Sequence, residues 1–144
     1  RTDRNVVVIE SDDCGSIRVP SRHVYEQCLQ AGYRVDEIAY ERYDSLASED
    51  DLELLFNVLN GYKDQKGNPA VITANILTAN PDFKKIRAAG FREYYYELIA
   101  ETFGRYPNHS NSLSLWKKGS DTGVFFPQSH GCSSSGGPRC AFRL

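Results

Sequence analysis

The feature that most constrains this chain is a short apolar, β-branched run, Asn5-Val-Val-Val-Ile9, followed at once by Glu-Ser-Asp-Asp-Cys-Gly-Ser (10–16). A continuous run of this kind suits a strand covered on both faces, as in a parallel sheet, better than a half-exposed hairpin strand. The polar, glycine-containing segment then reads as the turn at the strand's carboxyl end. That puts Asp12 and Asp13 where α/β folds collect their active sites. Adjacent side chains diverge in a regular strand, but at a strand-to-loop transition both can face one bowl. Asp is also favoured in turns, so position alone weighs a site and a turn cap about equally.

The rest of the chain alternates strand and helix signals. Pro20-Ser21 opens a helix expected over about 21–31, with Val24, Cys28 and Leu29 at helical spacing and Gly32 as its stop. Residues 33–47 read as a long loop carrying Tyr33, Tyr40 and Tyr43. Ser48 caps the next helix, the acids 49–51 complement its dipole, and Leu52, Leu55, Phe56 and Leu59 form its apolar stripe. After a turn at 64–68, Ala70–Ala74 reads as a second strand. Pro81-Asp-Phe starts a helix running towards Gly90, and a further helical region spans about Glu93 to Phe103. Asn111 to Lys118 suggests a short helix, and Val124–Phe126 a third strand. The order β-α-α-β-α-α-β, with long crossovers, implies about three parallel strands and an α/β architecture. A closed parallel barrel needs about eight strands, so the expected architecture is a partial one.

Composition narrows the function classes. Net charge is -2 with no basic stripe, which argues against nucleic acid as a partner. The longest apolar run falls far short of the ~20 residues of a membrane span, and no leader of the signal-peptide kind is seen. Met is absent, so the chain is expected to begin inside a longer reading frame or after processing. Cys14, Cys28, Cys132 and Cys140 show no CxxC spacing, which argues against a structural zinc site and leaves free thiols as the simplest reading. From Cys132 the composition turns to Ser, Gly and Pro. Residues 132–144 are therefore read as a low-complexity tail outside the fold, as after a shifted reading frame, and 1–131 as the domain portion.

The strand ending in Ser11-Asp12-Asp13-Cys14-Gly15 resembles the first motif of the polysaccharide deacetylases, the NodB-homology or carbohydrate esterase family 4 superfamily. The stretch from Val8 to Arg18 is most similar to an uncharacterised bacterial branch in which an aromatic residue usually stands at the position of Cys14. Further similarity covers Tyr43-Asp-Ser-Leu46, Asn68-Pro-Ala70, Thr73-Ala-Asn75, Asn80-Pro-Asp-Phe83, Tyr94–Tyr96 and Tyr106-Pro-Asn-His-Ser110, from about residue 4 to His130. The resemblance implies a partial (β/α) barrel of the glycoside hydrolase/deacetylase type. It assigns Asp12 as general base and Asp13, with His130, as ligand to a divalent metal, zinc first. Such a metal lowers the pKa of its water and polarises the acetyl carbonyl, and a carboxylate beside it accepts the proton.

The family's second motif places two histidines four residues apart. Here His130 matches the first position and Ser134 stands at the second, a poor metal ligand. His109 in its polar loop, Cys132 beyond His130, and His23 in the first helix are weaker candidates, with surface or capping roles favoured for the histidines. Asn75 and Asn80 could contact a sugar or serve as turn and cap residues. The leading expectation is a metal-dependent hydrolase removing acetyl groups from an acetylated glycan, incomplete and inactive as this piece. Against it stands a noncatalytic carbohydrate-binding or accessory domain that has lost its metal site. A phosphoesterase-like metal hydrolase is a third, weaker alternative. Substrate, oligomeric state and compartment are not legible.

Overall fold

A computed structural model describes residues 6–43 and 45–129. The elements in order are β1 (Glu10–Cys14), α1 (Arg22–Gln30), α2 (Ala39–Tyr43), α3 (Glu49–Gly61), β2 (Ile72–Ile76), β3 (Ala79–Pro81), α4 (Phe83–Ala88), β4 (Tyr96–Leu98), α5 (Ile99–Arg105), α6 (Ser112–Asp121) and β5 (Phe125–Ser129). The central sheet runs β1-β2-β5 with both pairings parallel, and β3 and β4 form a separate antiparallel pair. The fold is thus mixed α/β around a three-stranded parallel sheet. None of the described helices is long and apolar enough to cross a membrane.

The first strand lies later than the β-branched run predicts. Val6, Val7 and Val8 are exposed, and Ile9 only enters the ladder by accepting the Thr73 amide at 3.0 Å. β-Branching favours extended backbone, but burial requires a neighbour on each face. β1 is an edge strand of the three-stranded sheet, and its pairing with β2 begins at Glu10↔Thr73. Of the buried strand expected at 5–9, the described residues 6–9 form an exposed lead-in, and the strand lies at 10–14.

The helices form for the reasons their caps suggest. Ser21 accepts the Val24 amide to start α1, and Gly32 at φ 83° follows its end. α1 nevertheless buries no residue, so it rides on the surface. Ser48 and Asp51 make a reciprocal capping box on α3, at 3.2 Å from Asp51 N and 2.9 Å from Ser48 N. Part of the expected 33–47 loop is the short helix α2. The helix expected from Glu93 instead begins at Ile99, because residues 96–98 pair as β4 with β3. Tyr94 and Tyr96 consequently sit exposed ahead of the helix.

α3 and α6 pack together beside β5, and their apolar faces close over the sheet. Leu52, Phe56 and Leu59 from α3 meet Ala74, Ile76, Val124 and Phe125 from the sheet region, with Ile99, Phe103 and Trp116 completing the cluster. Phe56 stands edge-on to Phe125 at 5.7 Å, and Trp116 stacks on Phe125 at 5.8 Å. Gly119 makes this approach possible, since a Cβ there would lie 2.6 Å from Phe56 Cζ. Each buried Leu or Phe side chain contributes roughly 1.5–3 kcal/mol, whereas exposed pairs such as Arg22–Glu26 are each worth about 1 kcal/mol or less. The core holds this fold.

Candidate functional site

The two acids sit on a β-bulge. Ser11 pairs with Ala74 and Cys14 with Ile76, so three residue steps on β1 span two on β2. The surplus residue interrupts the pleat's alternation at Asp12 and Asp13. Asp13 takes φ 54°, a left-handed conformation that Asp tolerates better than most residues. Gly15 at φ 86° follows, and the Ser16 amide closes a turn on the Asp13 carbonyl at 3.0 Å. A Cβ at Gly15 would lie 2.3 Å from Ile99 Cδ1, so only glycine fits this close approach.

Asp12 and Asp13 both line one cleft of about 220 Å³, whose apolar lining includes Leu52, Phe103, Trp116 and Phe125. Asp12 Oδ1 accepts the Asp13 amide at 3.1 Å. Asp13 Oδ2 accepts from the Arg18 guanidinium at 2.9 Å, both groups being partly exposed. Cys14 Sγ lies 3.3 Å from Ser11 Oγ. The bulge places Asp12 and Asp13 side by side in the lining of one cleft.

A buried amide fixes the loop that carries them. Asn80 on β3 accepts the Ile17 amide at 2.9 Å and donates to the Gly15 carbonyl at 2.9 Å and to Thr102 Oγ1 at 3.3 Å. Thr102 in turn donates to Glu97 Oε1 at 2.7 Å, and Arg105 pairs with the same oxygen. Asn80, Glu97 and Thr102 are all buried, so these bonds replace water that cannot enter. Asn80 is therefore a clamp on the site loop. Asn75 instead donates to Glu10 Oε1 at 2.8 Å, beside the bulge.

The segment 45–47 forms another part of the cleft wall. The loop after α5 holds it from outside. His109 Nε2 meets the Leu46 carbonyl at 3.2 Å, its Nδ1 faces the Pro107 carbonyl, and its ring stacks on Phe103. Both ring nitrogens thus face backbone carbonyls, so His109 serves the wall and is not turned to the acids as a ligand. The Glu49 amide donates to the Asn108 carbonyl at 3.1 Å, and the Glu49 carboxylate accepts from the Asn111 amide at 2.9 Å.

That backbone hydrogen bond is the foremost cause holding the Glu49 carboxyl below its ordinary pKa; burial opposes it, and the Asn111 side chain, Ser110 and nearby His109 add to it. A carboxyl depressed in the folded state contributes stability above its unfolded pKa and loses it as pH falls through the folded value. The wall's anchorage is therefore expected to weaken on acidification below the ordinary glutamate value of 4.5. Urea midpoints measured from roughly pH 3 to pH 7 check this. The Glu49→Gln variant should lose less stability than the parent over the acid limb, and parallel losses would remove Glu49 as an anchor.

Of the residues singled out in the sequence, Asp12 and Asp13 come together, while His130, Cys132 and Ser134 lie outside the described residues. β5 ends at Ser129, paired with Ile76, and Cys14 is the partner of Ile76 on the other side. His23 is on the exposed helix α1. Among the described residues no group of three or more His, Cys, Asp and Glu is assembled for a metal. Asp13 offers one carboxylate and shares it with Arg18. Of the metal ligands that the sequence resemblance implies, Asp13 alone lies among the described residues.

Sequence reasoning gave no role to Arg18 or Trp116, and left Asn80 between sugar contact and turn. The five-residue spacing from Asp13 to Arg18 was the available signal for the ion pair. Comparison with protein-family models, curated protein sequences and solved structures found no match.

Proposed function

We propose that the Asp12–Asp13 cleft is the reaction site of a hydrolase that removes acetyl groups from an acetylated carbohydrate. The observation that supports the reading is the bulge, which puts Asp12 and Asp13 side by side in the lining of one largely apolar cleft. Aromatic and aliphatic floors suit the apolar face of a sugar ring and an acetyl methyl, while the polar mouth suits hydroxyls. In this reading Asp12 takes a proton from the attacking water as its oxygen bonds to the acetyl carbon. The C–N or C–O bond then breaks, acetate leaves, and the proton passes to the released amine or hydroxyl. Asp13, held by Arg18, fixes the loop's charge and orientation. The proposal includes a divalent metal, zinc first, held by Asp13 together with His130.

The test is acetate release from a panel of N- and O-acetylated oligosaccharides with zinc present, alongside zinc binding by calorimetry. Asp12→Asn should reduce turnover by about 10²–10⁴-fold while zinc binding persists, and Asp13→Ala should weaken zinc binding. No acetate from any substrate, with zinc bound equally by parent and Asp13→Ala, would sink the hydrolase reading. A noncatalytic carbohydrate-binding domain is the second reading. The Asp13–Arg18 pair favours it, because a carboxylate already neutralised by a guanidinium has less demand for a metal. It expects saccharide binding without acetate release.

A further inference from the structure

The lining of the Asp12–Asp13 cleft divides into two chemistries. Its polar side chains come only from residues 11–16 and from Ser45, and Asp12 and Ser45 are exposed. The rest of the lining is apolar. Five of those residues, Leu52, Ala74, Phe103, Trp116 and Phe125, belong to the core and are at most 5% exposed. The cleft therefore reaches from the exposed Asp12 to the hydrophobic core. Apart from the Trp116 indole, no side chain among the described residues of its apolar part can make a hydrogen bond.

That part is a poor place for a sugar ring and a good one for an alkyl chain. A hexose carries hydroxyls around its rim, and burying them against Leu52, Ala74 and Phe125 would leave them unpaired. A hydrocarbon has no such groups, and every methylene it buries adds to binding. Volume then sets the length. About 220 Å³ holds roughly seven groups of the size of a water, about 30 Å³ each, and an acetyl methyl supplies one.

We infer, on the hydrolase reading of this cleft, that its apolar part takes the alkyl chain of an acyl group of about four to eight carbons. The sugar stays with the polar residues 11–16 and Ser45, and acetyl is the shortest member of the series served. Water adds to the acyl carbon and gives its proton to Asp12. The C–N or C–O bond breaks, the fatty acid leaves, and that proton passes to the released amine or hydroxyl. Leu46 bounds the chain: it lines the cleft, packs partly buried against the core, and its carbonyl is met by His109 Nε2 at 3.2 Å.

Glucosamine oligosaccharides N-acylated with acetyl, butyryl, hexanoyl or decanoyl groups test this. Released acid is read by mass spectrometry with zinc present, and binding by calorimetry. From acetyl to hexanoyl, kcat/KM and affinity should each rise about fourfold per methylene, with no further rise at decanoyl. Leu46→Ala should move the optimum about two carbons longer and Leu46→Phe about two shorter. Opposite directions separate a change of cleft from a loss of packing, and the parent series decides by itself if either variant fails to fold. Affinities that are flat across the series or highest for acetyl overturn the acyl cleft, as does an optimum that neither folded variant moves. Hexanoyl binding that exceeds acetyl binding as stated, with no acid released from any substrate, counts against the hydrolase reading alone. Acetate release with a flat series counts against the acyl cleft alone.

Discussion

Trp116→Ala is expected to lower the unfolding free energy by about 3–5 kcal/mol. Trp116 is 4% exposed and is the one tryptophan of the chain. It stacks on Phe125 and stands edge-on to Phe103 at 5.2 Å, so it joins the sheet to both α5 and α6. Its ring also lines the floor of the acidic cleft and lies against Gly15, on the loop that follows the two acids. Truncation removes both the transfer energy of the ring and its contacts with neighbours that cannot fully collapse around the gap. Small domains hold only about 5–15 kcal/mol in total, so the variant should sit near the edge of folding. Urea denaturation followed by far-ultraviolet circular dichroism gives the comparison, because the variant has no tryptophan fluorescence. Trp116→Phe should recover most of the loss, and a deficit under about 1 kcal/mol for the alanine variant would mean that the floor is not packed as described.

Asn80→Ala should cost about 3 kcal/mol, and its effect should concentrate at the acids. The side chain spans from β3 to the loop after β1 and satisfies the Ile17 amide, the Gly15 carbonyl and the Thr102 hydroxyl at once. Alanine leaves the Ile17 amide and the Gly15 carbonyl without this partner and with their desolvation cost, while the Thr102 hydroxyl keeps its bond to Glu97. Asn80→Asp tests the polarity of the clamp. It keeps an acceptor for the Ile17 amide but faces the Gly15 carbonyl without a donor, so it should be nearly as damaging. Hydrogen exchange is the sharper readout: loss of the clamp should speed exchange of the Ile17 amide about 100-fold or more. An Ile17 amide that exchanges equally in parent and Asn80→Ala would show that the loop is held by something else.

The parts legible in the sequence were those specified by local chemistry. Ser48 announced the start of α3 because an N-cap is a local bond, and the structure adds the reciprocal bond from Asp51. The apolar stripe from Leu52 to Leu59 is the buried face of that helix, with Leu55 partly buried. Parallel pairing followed from the long crossovers. What escaped was long-range. β3 and β4 are three residues each, too short for any periodicity to emerge, and Pro81 and Tyr96 at their ends gave contrary signals. The β-branched run at 6–9 looked more strand-like than Glu10–Cys14, whose polar residues pair because β2 lies beside them. Asn80 reaches partners 63 and 65 positions away, and no spacing rule describes such a bond. The acids themselves were visible, but the bulge on which they sit was not.

That bulge separates the frame of the site from its chemistry. The extra backbone position between Ser11 and Cys14 is secured from outside, by pairing with Ala74 and Ile76 and by Asn80 on the loop beyond. Neither anchor involves a carboxylate oxygen of Asp12 or Asp13. The backbone frame of the bulge is thus set by the strand pairing and Asn80, while the side chains of Asp12 and Asp13 add local bonds, to the Asp13 amide and to Arg18.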